Sequence, residues 1–172
     1  MGVSLKEQQE LDSEYLMQTF VRKPVEFVRG AGARLYDDDG KEYRDFLAGI
    51  GVCSVGHNNP KVVAAIKEQA NKLIHVSNYY YIEHRGELAK RINDMLAAIT
   101  GSKWRVFFGN SGAEANEGAI KTARRWGKEH AGGAGGIITA VKSFHGRTLA
   151  TLAATGQDSK QDPFAPLPSG FA

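Results

Sequence analysis

Residues 107–125 read FFGNSGAEANEGAIKTARR, and this stretch predicts how the chain around it folds. Ser111 and Glu114 stand three residues apart before a helical pattern, which is the signature of a capping box, in which each side chain satisfies a backbone N–H at a helix start. Residues 105–108, RVFF, before this cap predict a strand, and residues 112–128 after it predict a helix. The stretch is therefore predicted to form a strand, a short glycine-containing turn and a helix.

The sequence that follows this helix completes a βαβ unit. The glycine-rich residues 131–136 predict a loop, and residues 137–141, IITAV, predict a short strand buried on both faces. A strand, a helix and a second strand in this order are typical of a parallel sheet. Upstream, Asn59 and Pro60 predict the start of one helix, and Gly101 predicts the end of another. We therefore expect an α/β domain.

The first part of the chain has a different pattern. A capping box at residues 4–7 predicts a helix that runs to about Phe20. The dipeptide Asp39-Gly40 predicts a two-residue hairpin within a small antiparallel sheet. Its three strands are predicted at residues 25–29, 34–36 and 42–47. This change of pattern predicts two domains, residues 1–57 and residues 58–172.

The composition excludes several classes of protein. Of the 172 residues, 42% are hydrophobic and 24% are charged, which is typical of a globular protein. The 22 lysines and arginines against 19 aspartates and glutamates give a net charge of +3 without a basic run, which disfavours nucleic acid as a partner and suits a small anionic molecule. Cys53 is the single cysteine, so a reducing compartment is expected. Because no segment is apolar enough to serve as a signal peptide or membrane span, we expect a cytoplasmic protein without a membrane partner.

The segment GNSGAE at residues 109–114 fits none of the common phosphate or nucleophile motifs. No G-x-x-x-x-G-K-[ST] run is present, so a P-loop is excluded. A hydrolase elbow needs G-x-S-x-G, and Ala113 stands where the last glycine belongs, which disfavours Ser111 as a nucleophile. What remains is a helix start whose free N–H groups suit an anion, provided that the carboxylates of Glu114 and Glu117 turn away. From these residues alone, an ordinary cap and an anion site both stay open.

A second polar segment, SFHGRT at residues 143–148, follows the predicted strand 137–141. Both segments would lie at carboxyl ends of parallel strands, where open α/β sheets bind ligands. Phe144 or His145 offers a ring, and Arg147 offers a fork that matches a carboxylate. A flat, anionic ligand would suit this edge, although a loop with a core phenylalanine and a surface arginine is the simpler alternative.

Together these segments resemble the class III, fold-type I aminotransferases, which use pyridoxal 5'-phosphate. Supporting similarities are LYD at 35–37, GKEYRDF at 40–46, GIGV at 49–52, GH at 56–57 and HVSN at 75–78. The resemblance covers essentially the whole chain but only the first part of a family member. The proline-rich end DPFAPLPSGFA is typical of a connecting loop, and it also predicts that the sequence is a fragment. The resemblance implies part of the small domain followed by the start of the large, mainly parallel-sheet domain, with an incomplete sheet. Among the subgroups, HVSNYYY and FHGRT are most similar to acetylornithine aminotransferases.

The resemblance also implies roles for individual residues. The backbone N–H groups of Gly112 and Ala113, with the Ser111 hydroxyl, would hold the cofactor phosphate. Phe144 would stack on the pyridine ring, and His145 would help to orient it. The substrate residues implied are Arg147 for a carboxylate, and Tyr81 and Ile50 at the entrance, where a core or surface role is an equal alternative for the last two.

The activity implied is transfer of the ω-amino group of N-acetylornithine to 2-oxoglutarate, a step of arginine biosynthesis, by a homodimer. The family's cofactor-binding lysine would lie beyond Ala172, so no catalytic residue is expected in this chain, which alone would be inactive, and no metal is implied. Transamination of 4-aminobutyrate, ornithine or succinylornithine is the alternative within the class. An inert piece that binds the cofactor or a partner, and a hydrolase using Ser111, are alternatives of other classes.

Overall fold

The structure is a computed structural model that describes residues 3–172. Met1 and Gly2, with which the predicted first domain begins, lie outside the described residues. The described chain divides into two units, of which the first ends at Tyr81 and the second is Ile82–Ala172. The predicted boundary between residues 57 and 58 concerns the domains of the whole family fold, and it stays a prediction.

Helix α1, Leu5–Tyr15, opens the first unit with the predicted capping box. The Ser4 hydroxyl accepts a hydrogen bond from the Glu7 amide at 3.3 Å, and the Glu7 carboxylate accepts one from the Ser4 amide at 2.8 Å. The prediction that this helix continues to about Phe20 is wrong. Leu16 adopts an extended conformation, and the Gln18 side-chain amide donates to the Asp12 and Leu16 carbonyls, which takes up acceptors at the helix end.

The first unit also contains the predicted antiparallel sheet, in the order β1, Phe27–Ala31, then β2, Arg34–Asp37, then β3, Glu42–Arg44. The predicted two-residue turn is wrong, because the Asp37 amide donates to the Lys41 carbonyl at 3.2 Å and three residues lie between them. Gly40 takes the positive φ of 81° that this three-residue turn requires, and its amide donates to the Asp37 carbonyl at 3.0 Å. Strand β3 ends three residues before the predicted Leu47. The chain turns there because one carboxylate oxygen of Asp45 accepts from the amides of Leu47 and Ala48 at 2.8 and 2.9 Å.

Helix α2, Pro60–Lys72, follows in the first unit, and the second unit begins with helix α3, Arg85–Thr100. Both agree with the sequence. Asn59 caps α2 by accepting from the amides of Lys61 and Val62, and Gly101 ends α3 in the left-handed conformation with a φ of 69°.

Helix α4, Gly112–His130, is the longest element of the second unit. It is followed by helix α5, Leu149–Ala153, helix α6, Asp158–Gln161, and a 3₁₀ turn, Asp162–Phe164. The buried hydrophobic residues of this unit come from α4 and α5 and the residue after α5, namely Ile120, Leu152 and Ala154. Two threonines beside them, Thr151 and Thr155, are completely buried.

The two predicted parallel strands are not formed within the described residues, whose one sheet is the antiparallel sheet. Residues 105–108 have no strand partner. Residues 137–141 make single parallel bridges, from Ile137 to Phe171 and from Val141 to Gly156. They are not buried on both faces, since Ile138 and Val141 are 89% and 86% exposed. A strand needs a ladder of hydrogen bonds along its length. Residues 137–139 make three successive backbone hydrogen bonds with residues 170–172, and Lys142 makes one with Gly156, so the paired stretches are too short to form a strand.

Candidate functional site

The N-terminus of α4 presents two free amides. Ser111 is the N-cap, whose hydroxyl accepts from the Glu114 amide at 3.2 Å and whose carbonyl accepts from the Ala115 amide at 3.0 Å. The preceding amides, of Gly112 and Ala113, have no acceptor within the helix and carry the positive end of its dipole. A methyl group at Gly112 would meet no atom within 4 Å. The helix start therefore has both donors and open space for an anion.

Two carboxylates near this helix start are turned to other partners. The Glu114 carboxylate folds back and accepts a hydrogen bond from the Asn110 amide. The Glu117 carboxylate accepts one from the Thr148 hydroxyl. Each carboxylate thus has a hydrogen-bond donor of its own, although the Glu114 carboxylate stays close to the helix start.

The loop at residues 143–148 lies directly against this helix start. Gly146 has a φ of 141°, and a methyl group there would come within 2.8 Å of the Ala113 Cβ and 2.5 Å of the Thr151 Oγ1. Only glycine allows so close an approach of the loop backbone to α4. The structure therefore brings together the two segments that the sequence singled out separately.

Phe144 and Arg147 lie side by side at the surface of this loop. The Phe144 side chain is 59% exposed, so it is not the core phenylalanine of the simpler alternative. The Arg147 Cζ lies 5.8 Å from its ring centroid, and the Lys160 Nζ lies 5.9 Å from the same point. Both distances are within the range of a cation–π contact. An open aromatic face with two cations suits a flat ligand that carries negative charge.

The main chain of His145 is held by two residues that the sequence analysis did not single out. Its amide donates to the Thr155 hydroxyl at 3.0 Å, and its carbonyl accepts from the Asn116 side-chain amide at 2.7 Å. The imidazole Nδ1 lies 3.3 Å from the Ser143 hydroxyl. The sequence indicates Asn116 only weakly, through the presence of a poor helix former inside the predicted helix. It contains no indication of Thr155.

The remaining two predicted site residues, Ile50 and Tyr81, belong to the first unit. Tyr81 is fully exposed, and Ile50 is 85% exposed with a φ of 61°, a conformation that is uncommon for a β-branched residue. Their place at a substrate entrance stays a prediction.

A hydrogen bond between His57 and Asp45 anchors the loop that carries Ile50. The His57 Nε2 lies 2.6 Å from the Asp45 carboxylate, whose side chain is only 7% exposed. The hydrogen bond from His57, followed by those from the Ala48 and Leu47 amides, holds the pKa of Asp45 below its ordinary value. His57 also forms a backbone bridge with Gly32, so both ends of residues 45–57 are tied to the sheet.

These features fit pyridoxal 5'-phosphate. The amides of Gly112 and Ala113 and the Ser111 hydroxyl are the donors that would hold its phosphate, and the exposed ring of Phe144 is the face on which its ring would stack.

Comparison with known proteins identifies the family, because the family described as aminotransferase class-III matches residues 17–172. The chain belongs to this family. The class-III chain is 51% identical over 163 residues to the acetylornithine aminotransferase of Wolinella succinogenes, covering 94% of this chain and 40% of that protein. The predicted resemblance is therefore confirmed, and the chain spans about two-fifths of the length of the curated relatives that it matches.

Solved structures support the fold of the class-III chain. The ornithine aminotransferase of Toxoplasma gondii superposes with a TM-score of 0.87 at 30% identity, covering 99% of this chain and 40% of that one. The taurine:2-oxoglutarate aminotransferase of Bifidobacterium kashiwanohense, solved in complex with PLP and glutamate, gives 0.85 at 31% identity, covering 100% and 38%. The chain thus has the backbone of about two-fifths of a fold-type I aminotransferase. No helix within residues 3–172 has the length and apolar character needed to span a bilayer.

Proposed function

We propose that the protein containing this chain transfers the ω-amino group of N-acetylornithine to 2-oxoglutarate, a step of arginine biosynthesis. The observation that carries this proposal is the 51% identity to an acetylornithine aminotransferase over 94% of the chain. The geometry at α4 and residues 143–148 is compatible with this chemistry, because it combines a phosphate cup, an aromatic face and a carboxylate-binding cation in one place.

In this proposal pyridoxal 5'-phosphate is the cofactor, and it supplies the electron-accepting ring and the aldehyde carbon that takes up the amino group. Gly112 and Ala113 donate their amides to the phosphate, and the Ser111 hydroxyl adds a third donor. Phe144 would stack on the ring and fix its plane. His145 helps to orient the ring and has no catalytic role.

Arg147 binds a substrate carboxylate through its planar fork, so that the distant amino group reaches the cofactor. Ile50 and Tyr81 line the entrance. The lysine that binds the cofactor lies outside these 172 residues, so the chain by itself contains no catalytic residue and is inactive. Lys142 is no substitute, since it is exposed and follows the bridge-forming Val141. The homodimer, the cytoplasmic location and the domain division at residue 57 are further predictions.

Ornithine, 4-aminobutyrate and succinylornithine are the alternative amino donors. Outside this class, the chain would be an inert piece that binds the cofactor or a partner without turnover. A hydrolase with Ser111 as nucleophile has no supporting observation, because the Ser111 hydroxyl already caps α4.

The decisive experiment adds pyridoxal phosphate to the complete protein and follows the visible absorption band of the lysine-bound cofactor. N-acetylornithine, ornithine, 4-aminobutyrate and succinylornithine are then added in turn, and N-acetylornithine is expected to change the band most efficiently. A folded protein that gives no band contradicts the cofactor. A band that responds to 4-aminobutyrate but not to N-acetylornithine contradicts the substrate alone.

A further inference from the structure

The two peptide groups that flank His145 are each held by a side chain from a different element. The amide between Phe144 and His145 donates to the Thr155 hydroxyl at 3.0 Å. The carbonyl between His145 and Gly146 accepts from Asn116 at 2.7 Å. Asn116 lies on α4, and Thr155 follows α5. The short main chain that joins Phe144 to Arg147 is therefore fixed from two sides.

The Thr155 hydroxyl is oriented to accept the hydrogen bond from the His145 amide. The residue is completely buried, and its hydroxyl donates to the Thr151 carbonyl at 2.9 Å. That bond consumes the hydroxyl proton, so the oxygen remains as an acceptor for the His145 amide. A buried amide without an acceptor is costly, so this bond selects one position of the peptide.

Further bonds secure the two ends of the same loop. At its start, the Ser143 hydroxyl accepts from the Gly156 amide at 3.3 Å, and the Ser143 carbonyl accepts from the Gln157 side chain at 2.8 Å. At its end, the hydroxyls of Thr148 and Thr151 lie 2.7 Å apart. With both ends anchored, the peptides around His145 are the part of the loop that Thr155 and Asn116 control.

We propose that Thr155 and Asn116 are positioning residues that act through the His145 peptides to place the Phe144 ring and the Arg147 guanidinium. The inference rests on the function proposed above, in which these two side chains hold the cofactor ring and the substrate carboxylate. Neither positioning residue needs to touch substrate or cofactor. Small displacements of groups that bind a reactant reduce rates strongly, by on the order of a hundredfold for about 1 Å.

The test compares Thr155→Val with Thr155→Ser in the complete protein with pyridoxal phosphate. Valine keeps the volume of the side chain and removes the hydroxyl, whereas serine keeps the hydroxyl. We expect the valine variant to lose on the order of ten- to a hundredfold in kcat/KM, chiefly through a higher KM for the amino donor. Amide hydrogen exchange of residues 143–148 should increase in the same variant, and serine should restore both measurements.

Thr122→Val is the matched control. Its hydroxyl donates to the carbonyl four residues earlier, Gly118, at 2.8 Å, as the Thr155 hydroxyl does to Thr151, but it lies on the exposed side of α4. This control should leave kinetics and loop exchange unchanged. If Thr155→Val does not fold, Asn116→Ala carries the test, because Asn116 lies at the partly exposed start of α4 and its loss should produce the same local exchange and KM effect.

Several results would overturn the inference. Unchanged loop exchange in Thr155→Val or Asn116→Ala would show that these bonds do not hold the loop. Increased exchange spread over the whole second unit, with kcat and cofactor affinity falling together, would show an ordinary core role. These outcomes are distinct from failure of the proposed function, in which the wild-type protein itself gives no cofactor band.

Discussion

In the proposed function, Arg147 is the residue that binds the substrate carboxylate. It is exposed, it lies 5.8 Å from the Phe144 ring centroid, and the charge beside that ring comes from it and from Lys160. A guanidinium binds a carboxylate with two parallel hydrogen bonds in one plane, which an ammonium cannot reproduce. The residue therefore supplies geometry as well as charge.

Replacing Arg147 by lysine should consequently separate substrate binding from cofactor binding. We expect KM for the amino donor to rise about ten- to a hundredfold, which corresponds to the loss of roughly 1.5–3 kcal/mol from a hydrogen bond to a charged group. Cofactor affinity should change much less. Arg125→Lys, on the exposed side of α4, is the control and should alter neither quantity. Equal losses in donor and cofactor binding by Arg147→Lys would contradict the assigned role.

Asp45 gives a second prediction at the level of one residue, and it concerns pH. Hydrogen bonds from His57 and two backbone amides hold its pKa below the ordinary value of 3.8 in the folded protein. Because the folded state binds this proton less readily than the unfolded state, the carboxylate stabilises the fold above about pH 4. That stabilisation is lost as the pH falls through the folded pKa.

We therefore expect Asp45→Asn to lower the urea midpoint of unfolding at pH 7 and to have a smaller effect near pH 3, where the unfolded state already binds the proton. The comparison of the two proteins at each pH cancels the titration of the groups that do not contact Asp45. Asp38→Asn, at an exposed position, is the control. The same difference between Asp45→Asn and wild type at both pH values would show that the charge of Asp45 is not what stabilises the loop.

At the scale of the element, the N-terminus of α4 combines a structural and a binding role in Ser111. Its hydroxyl caps the helix through the Glu114 amide, and in the proposed function it also donates to the phosphate. Because a hydroxyl can donate and accept at once, the two roles do not exclude each other.

Ser111→Ala should lower stability by about 1 kcal/mol, as is usual for the loss of a cap, and should also weaken pyridoxal phosphate binding by roughly tenfold or more. Ser4→Ala is a matched control, because Ser4 caps α1 in the same way but lies far from the site in sequence. It should cost similar stability and leave cofactor affinity unchanged. Cofactor affinity is measured by titrating the absorption band. Ser111→Ala with unaltered cofactor affinity would remove the hydroxyl from the phosphate cup.

The elements differ in how far the sequence could predict them. Helix ends at Ser4, Asn59, Gly101 and Ser111 were predicted because a cap is a contact between neighbours in sequence. The strand at residues 137–141 was predicted wrongly, because its ladder depends on partners far along the chain. The contacts of His145 with Asn116 and Thr155 could not be predicted for the same reason, because they join residues that are 29 and 10 positions apart in sequence.

At the scale of the whole molecule, the described residues bury little apolar surface. In the first unit Phe46, Ile50 and Val52 are highly exposed, and in the second unit Ile138 and Val141 are. Contiguous apolar surface on a single chain usually marks a contact with other protein. The chain spans only about two-fifths of the length of its relatives. We therefore expect the remaining residues of such a protein and, in the proposed homodimer, the partner subunit to cover this surface.

The 172-residue chain expressed alone should therefore bind a hydrophobic dye strongly, associate with itself and show no transamination. A protein of the relatives' full length that contains it should bind less dye per mass, sediment as a dimer and turn over N-acetylornithine. The physical reason is that apolar area left in water costs about 25 cal/mol per Å², which drives association when no native cover is present. Dye fluorescence, sedimentation velocity and the transamination assay test the three parts separately. If the chain alone is monomeric and does not bind the dye, the exposed apolar surface does not drive association. If the chain alone shows transamination, the cofactor-binding lysine cannot lie outside it.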